Sequence, residues 1–155
     1  MNNNDILIYA DAGCKIYNKI YNIINNLKFK NTCDLSLYNT KGGYRKHIYN
    51  LNVVKNIIKN QIDNVDKFIN DYEVEANRII IRKTNKSMKI INEWLYYALN
   101  YPTYFTDQNI KLQNDKSVDH RHDQAILNLL LFNNDCVDII KHDITKWIKA
   151  KRIRN

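Results

Sequence analysis

Short β-branched runs alternate with stretches of helical periodicity, and this alternation constrains the fold more than any other feature. The clearest run is NRIIIRK at 77–83, which is too short for a helix and therefore predicts a central strand. DILIYAD at 5–11 predicts a buried strand that ends at a glycine turn. Strands that alternate with helices are typical of α/β domains. We therefore expect an α/β fold with a mostly parallel sheet flanked by helices.

The segments between these runs complete the expected fold. Helical periodicity predicts helices over about 15–27, 51–72, 87–100, 119–132 and 145–154. Weaker patterns predict strands at 34–38 and 136–140, a glycine loop at 41–43 and a polar loop at 103–118. With one proline and three glycines, no linker divides the chain, so we expect a single domain over 1–155.

The charge balance is compatible with a polyanionic partner. The 155 residues carry a formal net charge of +8, but the lysines are spread through every segment and only 141–154 contains a run. A solvated terminal helix is the commoner explanation of such a run. A basic nucleic-acid-binding protein is therefore only our third hypothesis.

The cysteines and the apolar runs bear on location. Cys14, Cys33 and Cys136 are odd in number and lack the spacing of a metal site, so we expect neither a disulfide framework nor a zinc knuckle. This predicts a reducing compartment. No secretory leader is recognisable, and no run reaches the roughly 18 apolar residues of a membrane span. We therefore expect a cytoplasmic protein.

Two positions carry candidate chemistry. Asp11 follows the first strand, where a carboxylate can hold a divalent metal or accept from a sugar hydroxyl; the alternative, which this motif alone favours, is that it caps the next helix. HRHDQ at 120–124 opens an apolar helix, whose N-terminus attracts phosphate or carboxylate. The alternative there is a helix capped by Asp119 with surface histidines.

Both positions lie in motifs that resemble a known family. YADAGC at 9–14 and HRHDQAILN at 120–128 are similar to motifs of glycosyltransferases with the GT-A fold, nucleotide-diphospho-sugar transferases distantly similar to glycogenin and to bacterial lipopolysaccharide galactosyltransferases. VEANRIIIRKT at 74–84 and NEWLYYAL at 92–99 fit the family's inner strand and the helix after it. The resemblance runs from about Ile6 to Phe132, and HRHDQ is its most specific part.

The resemblance assigns the donor diphosphate to the first motif. Asp11 would bind the metal and the diphosphate, and Ala12 and Gly13 would shape the turn around them. The implied cofactor is a divalent cation, Mn²⁺ or Mg²⁺. Relatives carry a second aspartate where Gly13 stands, so the motif supplies one carboxylate instead of two.

The resemblance assigns the transferred sugar to the second motif. Asp123 and Gln124 would be the catalytic residues that orient the donor sugar and the acceptor. Arg121 and His122 would bind substrate and help to stabilise the departing diphosphate. Asp11 and Asp123 should then face one cleft.

The resemblance also implies a partial enzyme. Members of the family place a nucleotide-binding half before the strand at 5–11, so we expect the C-terminal part of a truncated or split glycosyltransferase. Its partners would be a nucleotide-sugar donor, a carbohydrate or protein acceptor, and a second copy or a separate N-terminal half. The alternative is a non-catalytic remnant that binds a sugar, a nucleotide or a protein.

Overall fold

The computed structural model describes residues 2–17, 20–22, 33–44, 67–68, 70, 72–106, 122–134, 136 and 144–150. The chain divides into two compact units. The first comprises Met1–Asn39, Glu75–Met88 and Cys136–Asn155, and the second comprises Thr40–Val74 and Lys89–Asp135. The single domain over 1–155 stays a prediction. No described helix combines the length and the apolar character needed to cross a membrane.

Five strands and two helices can be placed along the described residues. In chain order they are β1 (Ile6–Ala10), β2 (Cys14–Ile16), β3 (Leu35–Tyr44), β4 (Tyr72–Arg82), α1 (Asn85–Asn100), α2 (His122–Asn133) and β5 (Ile148–Ala150), with 3₁₀ turns at Pro102–Phe105 and Ile144–Lys146. The strands predicted at 5–11, 34–38 and 77–83 are confirmed. The helices predicted at 87–100 and 119–132 are confirmed where they are described.

The main sheet is antiparallel, and the predicted mostly parallel sheet is wrong. Its strand order is β1-β4-β3, and β1 runs against β4 with Ile6 opposite Arg82 and Ala10 opposite Arg78. At the far end of β4, the amide of Arg82 donates to the carbonyl of Asp34, directly before β3. Neighbouring strands of this sheet therefore run in opposite directions, whereas neighbouring strands of an α/β domain run mostly in parallel.

The exposure of β1 gives the physical reason for this correction. Leu7 and Tyr9 are 44% and 45% exposed, whereas Ile6 and Ile8 are partly buried and pack against Ile80. Strands of a parallel sheet are covered on both faces, but an antiparallel sheet can leave one face in water. The run ILIYA is therefore an amphipathic strand, although its sequence is apolar throughout.

A second, two-stranded sheet replaces two predicted helix ends. β2 pairs antiparallel with β5, which places Ile16 opposite Ile148 and Lys15 opposite Lys149. The helices predicted to begin at 15 and to continue through 148–150 are therefore wrong at these residues. Both lysine ammonium groups lie over the Tyr17 ring, at 5.5 and 5.8 Å from its centroid, which offsets the repulsion between like charges.

Helix α1 ends at the predicted residue and begins two residues before the predicted start. Thr84 caps it, because its hydroxyl accepts from the amide of Ser87 at 3.3 Å while the Ser87 hydroxyl accepts from the amide of Thr84 at 3.0 Å. Pro102 follows the last helical hydrogen bond, from the amide of Tyr101 to the carbonyl of Tyr97. Helix α2 is buried almost throughout, and its Phe132 packs edge to face on Phe68 at 5.3 Å.

Three other expectations have different outcomes. The loop predicted at 41–43 is wrong, since β3 continues through these residues. Most of the helical stretch at 51–72 lies outside the described residues, as does most of the loop at 103–118. The strand predicted at 136–140 also lies outside them, apart from Cys136.

The expectation that no disulfide forms is wrong. Cys33 and Cys136 are bonded, with their Cα atoms 5.6 Å apart, although they are separated by 103 positions in the sequence. Both belong to the first unit. The distance between cysteines along the sequence therefore gave no information on their distance in the fold.

Candidate functional site

The first candidate site is the turn that follows β1. The amide of Asp11 donates to the carbonyl of Asn77 on β4 at 2.9 Å, and the amide of Cys14 donates to the carbonyl of Asp11 at 2.8 Å. The second bond closes a tight turn through Ala12 and Gly13. The backbone of the motif is thus held at both ends, by the main sheet and by β2.

The carboxylate of Asp11 is available to a ligand. Asp11 is exposed, and its Oδ1 accepts a hydrogen bond from the Tyr9 hydroxyl at 2.6 Å. The alternative that Asp11 caps a helix is wrong, because strand β2 follows the turn. The Tyr9 hydroxyl is neutral, so it does not compensate the carboxylate charge. The remaining lone pairs of the carboxylate can accept from a sugar or bind a cation.

The donor set tests what kind of cation could bind here. Among the described residues, no group of three or more His, Cys, Asp and Glu side chains could hold a metal ion. A cation enclosed by protein ligands therefore does not fit the described residues. A single carboxylate does fit Mg²⁺ or Mn²⁺ that keeps several waters and takes other ligands from substrate phosphates.

Cys14 adds a titratable group beside this turn. Burial raises the pKa of the Cys14 thiol, and the Asp11 carboxylate raises it further, whereas the Arg78 guanidinium lowers it. The thiol also donates weakly to the carbonyl of Asn77 at 3.5 Å. A thiol with a raised pKa is a poor nucleophile at neutral pH, so the reactivity of Cys14 depends on the charge of Asp11.

This arrangement predicts the alkylation behaviour of Cys14. In the native, oxidised protein we expect one thiol to react with iodoacetamide, since Cys33 and Cys136 are bonded. At pH 8 it should react more slowly than a small-molecule thiol with an ordinary pKa. The Asp11→Asn variant should react faster, because losing the negative charge lowers the pKa and raises the thiolate fraction. Mass spectrometry of the labelled sites measures both; a slower reaction in Asp11→Asn would contradict the assigned contact.

Asn77 leaves a polar atom unsatisfied beside the Asp11 turn. Its backbone carbonyl receives the Asp11 amide, but its side-chain Oδ1 is buried and finds no hydrogen-bond partner among the described residues. An unsatisfied buried acceptor costs about 1–3 kcal/mol, so native proteins retain few of them without a reason. The sequence pattern predicts only that Asn77 lies in a central strand.

The second candidate site is the opening of α2. His122 has a φ of 34°, a left-handed conformation that is uncommon outside glycine. Asp123 is exposed, and its Oδ1 accepts from the amide of Gln124 at 2.8 Å. Strained backbone of this kind is concentrated at functional sites. Arg121 and His120 lie outside the described residues.

A buried polar network holds this opening in place. The Gln124 side chain is buried and donates to the Glu73 carboxylate. The Asn128 amide accepts from the amide of Val74 at 2.9 Å and donates to the carbonyl of Val74 at 2.8 Å, as a neighbouring strand would. Asn128 also donates to the carbonyl of Gln124 at 2.8 Å. The network therefore fixes the first turn of α2 against the start of β4.

The predicted residues are distributed over both units. Asp11, Ala12 and Gly13 lie in the first unit, and His122, Asp123 and Gln124 lie in the second. The single cleft expected for Asp11 and Asp123 stays a prediction. Of the pair predicted to touch substrate, Asp123 is exposed, whereas Gln124 is turned toward Glu73.

Sequence reasoning missed the partners that support the second site. Glu73 and Asn128 are 1% and 0% exposed, respectively. The stretch EVE at 73–75 alternates charge with valine, which is typical of a strand with one solvated face, so it gave no sign of a buried carboxylate. Asn128 lies within an apolar helix. Its polar side chain in that apolar run is the only sign in the sequence that it has a structural partner.

Comparisons with known proteins add no further identification. No protein-family model, curated protein or solved structure matches the chain. The functional interpretation therefore depends on the residues and contacts described above, together with the motif resemblance in the sequence.

Proposed function

We propose that the chain is the catalytic part of a glycosyltransferase, which transfers a sugar from a nucleotide-diphospho-sugar to an acceptor. The observation that carries this proposal is the opening of α2, where exposed Asp123 lies between left-handed His122 and buried Gln124. Packing alone does not require this arrangement, because burying the Glu73 carboxylate and two amides costs free energy that an apolar helix would avoid. Such a network is typical of a site whose geometry must be fixed.

Within this proposal, Asp123 acts directly on substrate. Its exposed carboxylate would accept a hydrogen bond from a hydroxyl of the donor sugar or of the acceptor. Gln124 would hold the first turn of the helix, since Glu73 accepts from its amide. A group fixed in this way needs little reorganisation in the transition state, which is the main source of electrostatic catalysis.

Asp11 would serve the diphosphate of the donor. Its carboxylate is exposed and accepts a hydrogen bond from the neutral Tyr9 hydroxyl, so it can bind a cation. When bound, Mn²⁺ or Mg²⁺ would supply the positive charge that stabilises the departing diphosphate. The Asn77 side-chain oxygen, which has no hydrogen-bond partner among the described residues, lies on the residue whose carbonyl receives the Asp11 amide and supports a polar ligand near this turn.

The disulfide changes the proposed setting of this reaction. Disulfides form and persist mainly in oxidising compartments, so the Cys33–Cys136 bond counts against the cytoplasmic location expected from the sequence. The proposed partners remain the nucleotide-sugar donor and a carbohydrate or protein acceptor. A separate N-terminal half or a second copy stays a further proposal.

Nucleotide-sugar binding tests this function. We expect UDP- or GDP-sugars to bind weakly in the presence of Mn²⁺, and chelation of the cation or the Asp11→Ala change to weaken binding about tenfold or more, because a carboxylate gains little from a diphosphate without a cation between them. Isothermal titration of the full chain measures the dissociation constants.

The matched control is Asp5→Ala. It removes one carboxylate just ahead of the other end of β1, so it changes the net charge equally but leaves the turn intact. Equal losses of affinity in the two variants would show that the effect of Asp11→Ala comes only from the change in net charge. Binding that is indifferent to both the metal and Asp11 would refute the role of Asp11, and the absence of any binding would favour the non-catalytic remnant.

A further inference from the structure

A second feature of the second unit lies outside the proposed catalytic residues. Residues 95–106 contain no charged side chain, although 26% of the whole chain is charged. The same stretch holds four tyrosines, at the end of α1 and in the 3₁₀ turn after it. We refer to Tyr96, Tyr97, Tyr101 and Tyr104 as the tyrosine platform.

The four rings form one continuous group. Tyr101 and Tyr104 are stacked, with centroids 5.2 Å apart and planes inclined by 17°. Tyr96 and Tyr97 contact Tyr101 at 6.2 and 5.7 Å, and each other at 5.6 Å. Tyr96 and Tyr101 remain 53% and 40% exposed. The platform therefore exposes ring faces and edges to solvent, and each ring packs against at least one other.

The phenols of the platform are polar and uncharged. Burial raises the pKa of Tyr97, and the nearby Glu93 carboxylate raises it further. Hydrogen bonding to the Tyr101 hydroxyl raises the pKa of Tyr96, so this phenol stays uncharged at physiological pH. Nearby, the Asn100 side-chain amide donates to the carbonyl of Tyr96 at 2.8 Å. The Thr106 hydroxyl donates to the carbonyl of Thr103 at 3.3 Å. Rings that carry hydroxyls, flanked by amide and hydroxyl side chains, can stack on an apolar face and donate to polar groups at its rim.

We propose that the tyrosine platform binds a neutral carbohydrate, which in the proposed function is the acceptor glycan. Sugars combine an apolar face of C–H groups with a rim of hydroxyls, and the platform offers the matching combination of ring and hydroxyl. No lysine or arginine in 95–106 could bind phosphate, and the Glu93 carboxylate that acts on Tyr97 would repel an anion, so the platform matches an uncharged ligand. The assignment of the glycan as acceptor rests on the proposed transferase function.

The composition of the stretch favours a neutral sugar over nucleic acid. Proteins that stack bases on aromatic rings pair them with a positively charged groove that follows the phosphates. None of the 24 lysines and arginines of this chain lies within 95–106. Exposed Leu95 and Leu99, at 56% and 71%, widen the apolar surface next to the rings without adding charge.

The test is titration of the full chain with maltohexaose, cellohexaose and chitohexaose, followed by saturation-transfer NMR and calorimetry. We expect at least one of them to bind, and Tyr101→Ala to weaken binding about tenfold through the loss of one stacked ring. Tyr101→Phe, which keeps the ring, should lose less. Tyr21→Ala is the matched control, because Tyr21 is 67% exposed in the first unit and should leave binding unchanged.

Several outcomes would overturn the platform assignment. These are no binding of any of the three oligosaccharides, equal losses in Tyr101→Ala and Tyr21→Ala, or self-association in sedimentation that Tyr96→Ala abolishes, which would make a second copy the occupant. Thermal melting shows whether each variant is folded, and Tyr96→Ala serves if Tyr101→Ala is not. Failure of the transferase function has a different signature: oligosaccharides still bind, but nucleotide-sugars do not.

Discussion

Replacing both Cys33 and Cys136 by serine is expected to lower the free energy of unfolding by about 5 kcal/mol. The bond joins residues 103 positions apart, and a loop of this length removes much conformational entropy from the unfolded chain. Native stabilities are commonly about 5–15 kcal/mol, so the variant would lose a large part of its stability. Since Cys33 is buried, the bond also anchors the segment before β3.

Urea denaturation, followed by circular dichroism with and without dithiothreitol, measures this loss. The wild-type protein should lose a similar amount in reductant, whereas the double variant should be indifferent to it. Cys14→Ser is the matched control, since Cys14 is not bonded and its loss should cost far less. A reductant effect below about 1 kcal/mol, where typical disulfides contribute about 2–4, would show that the bond contributes little to the fold.

Replacing Arg78 by alanine is expected to lower the free energy of unfolding by about 3–5 kcal/mol. Arg78 is 5% exposed, and its guanidinium donates to Glu75 at 2.6 Å and to the carbonyl of Ile148 at 2.9 Å. Truncation leaves both acceptors without this donor and removes the side-chain link between β4 and β5. Arg78 is buried and the Glu75 side chain is 20% exposed, so loss of Arg78 leaves a partly buried charge behind and costs more than the pair contributes.

The control for Arg78 lies four residues along the same strand. Arg82 pairs with Asp34 at 3.7 Å, and its side chain is 33% exposed, so Arg82→Ala should cost no more than about 1 kcal/mol. The same urea titrations compare the two variants. If they lost equal stability, burial would not be the reason for the Arg78 effect. Glu75→Gln should recover part of the stability in the Arg78→Ala background by removing the stranded charge.

The elements that could be predicted from the sequence are those with a strong local signal. The β-branched run at 77–83 lies in β4 apart from its last residue, and the helical periodicity at 87–100 lies in α1. The end of α1 at Asn100, shortly before Pro102, has a steric cause. Strand direction has no such signal. The order of strands and helices suggested a parallel sheet, but the direction of pairing depends on which neighbour covers each face, and one face of β1 stays in water.

Short strands were the main source of error. β2 and β5 contain three residues each, and their isoleucines and lysines fit a helical period as well as an alternating one. Their conformation is set by each other, through the pair of Ile16 with Ile148, and by contact with Tyr17. Such pairing is invisible when each segment is considered alone.

The candidate site likewise has features that could be predicted from the sequence and features that could not. The positions of Asp11 after a strand and of Asp123 in the first turn of a helix follow from local patterns. The bonds of Gln124 to Glu73 and of Asn128 to Val74 join residues 51 and 54 positions apart. No local pattern encodes contacts at that separation, so the support of the site could only be seen in the fold.

The disulfide also determines how the chain would carry mechanical load. Cys33 and Cys136 enclose all of the second unit, whose residues fall between Thr40 and Asp135. Tension applied through residues outside this covalent ring passes across the sulfur atoms, so the second unit bears none of it. Reduction would release a further 103 positions, about 340–370 Å of contour length, and only then would the second unit be stretched.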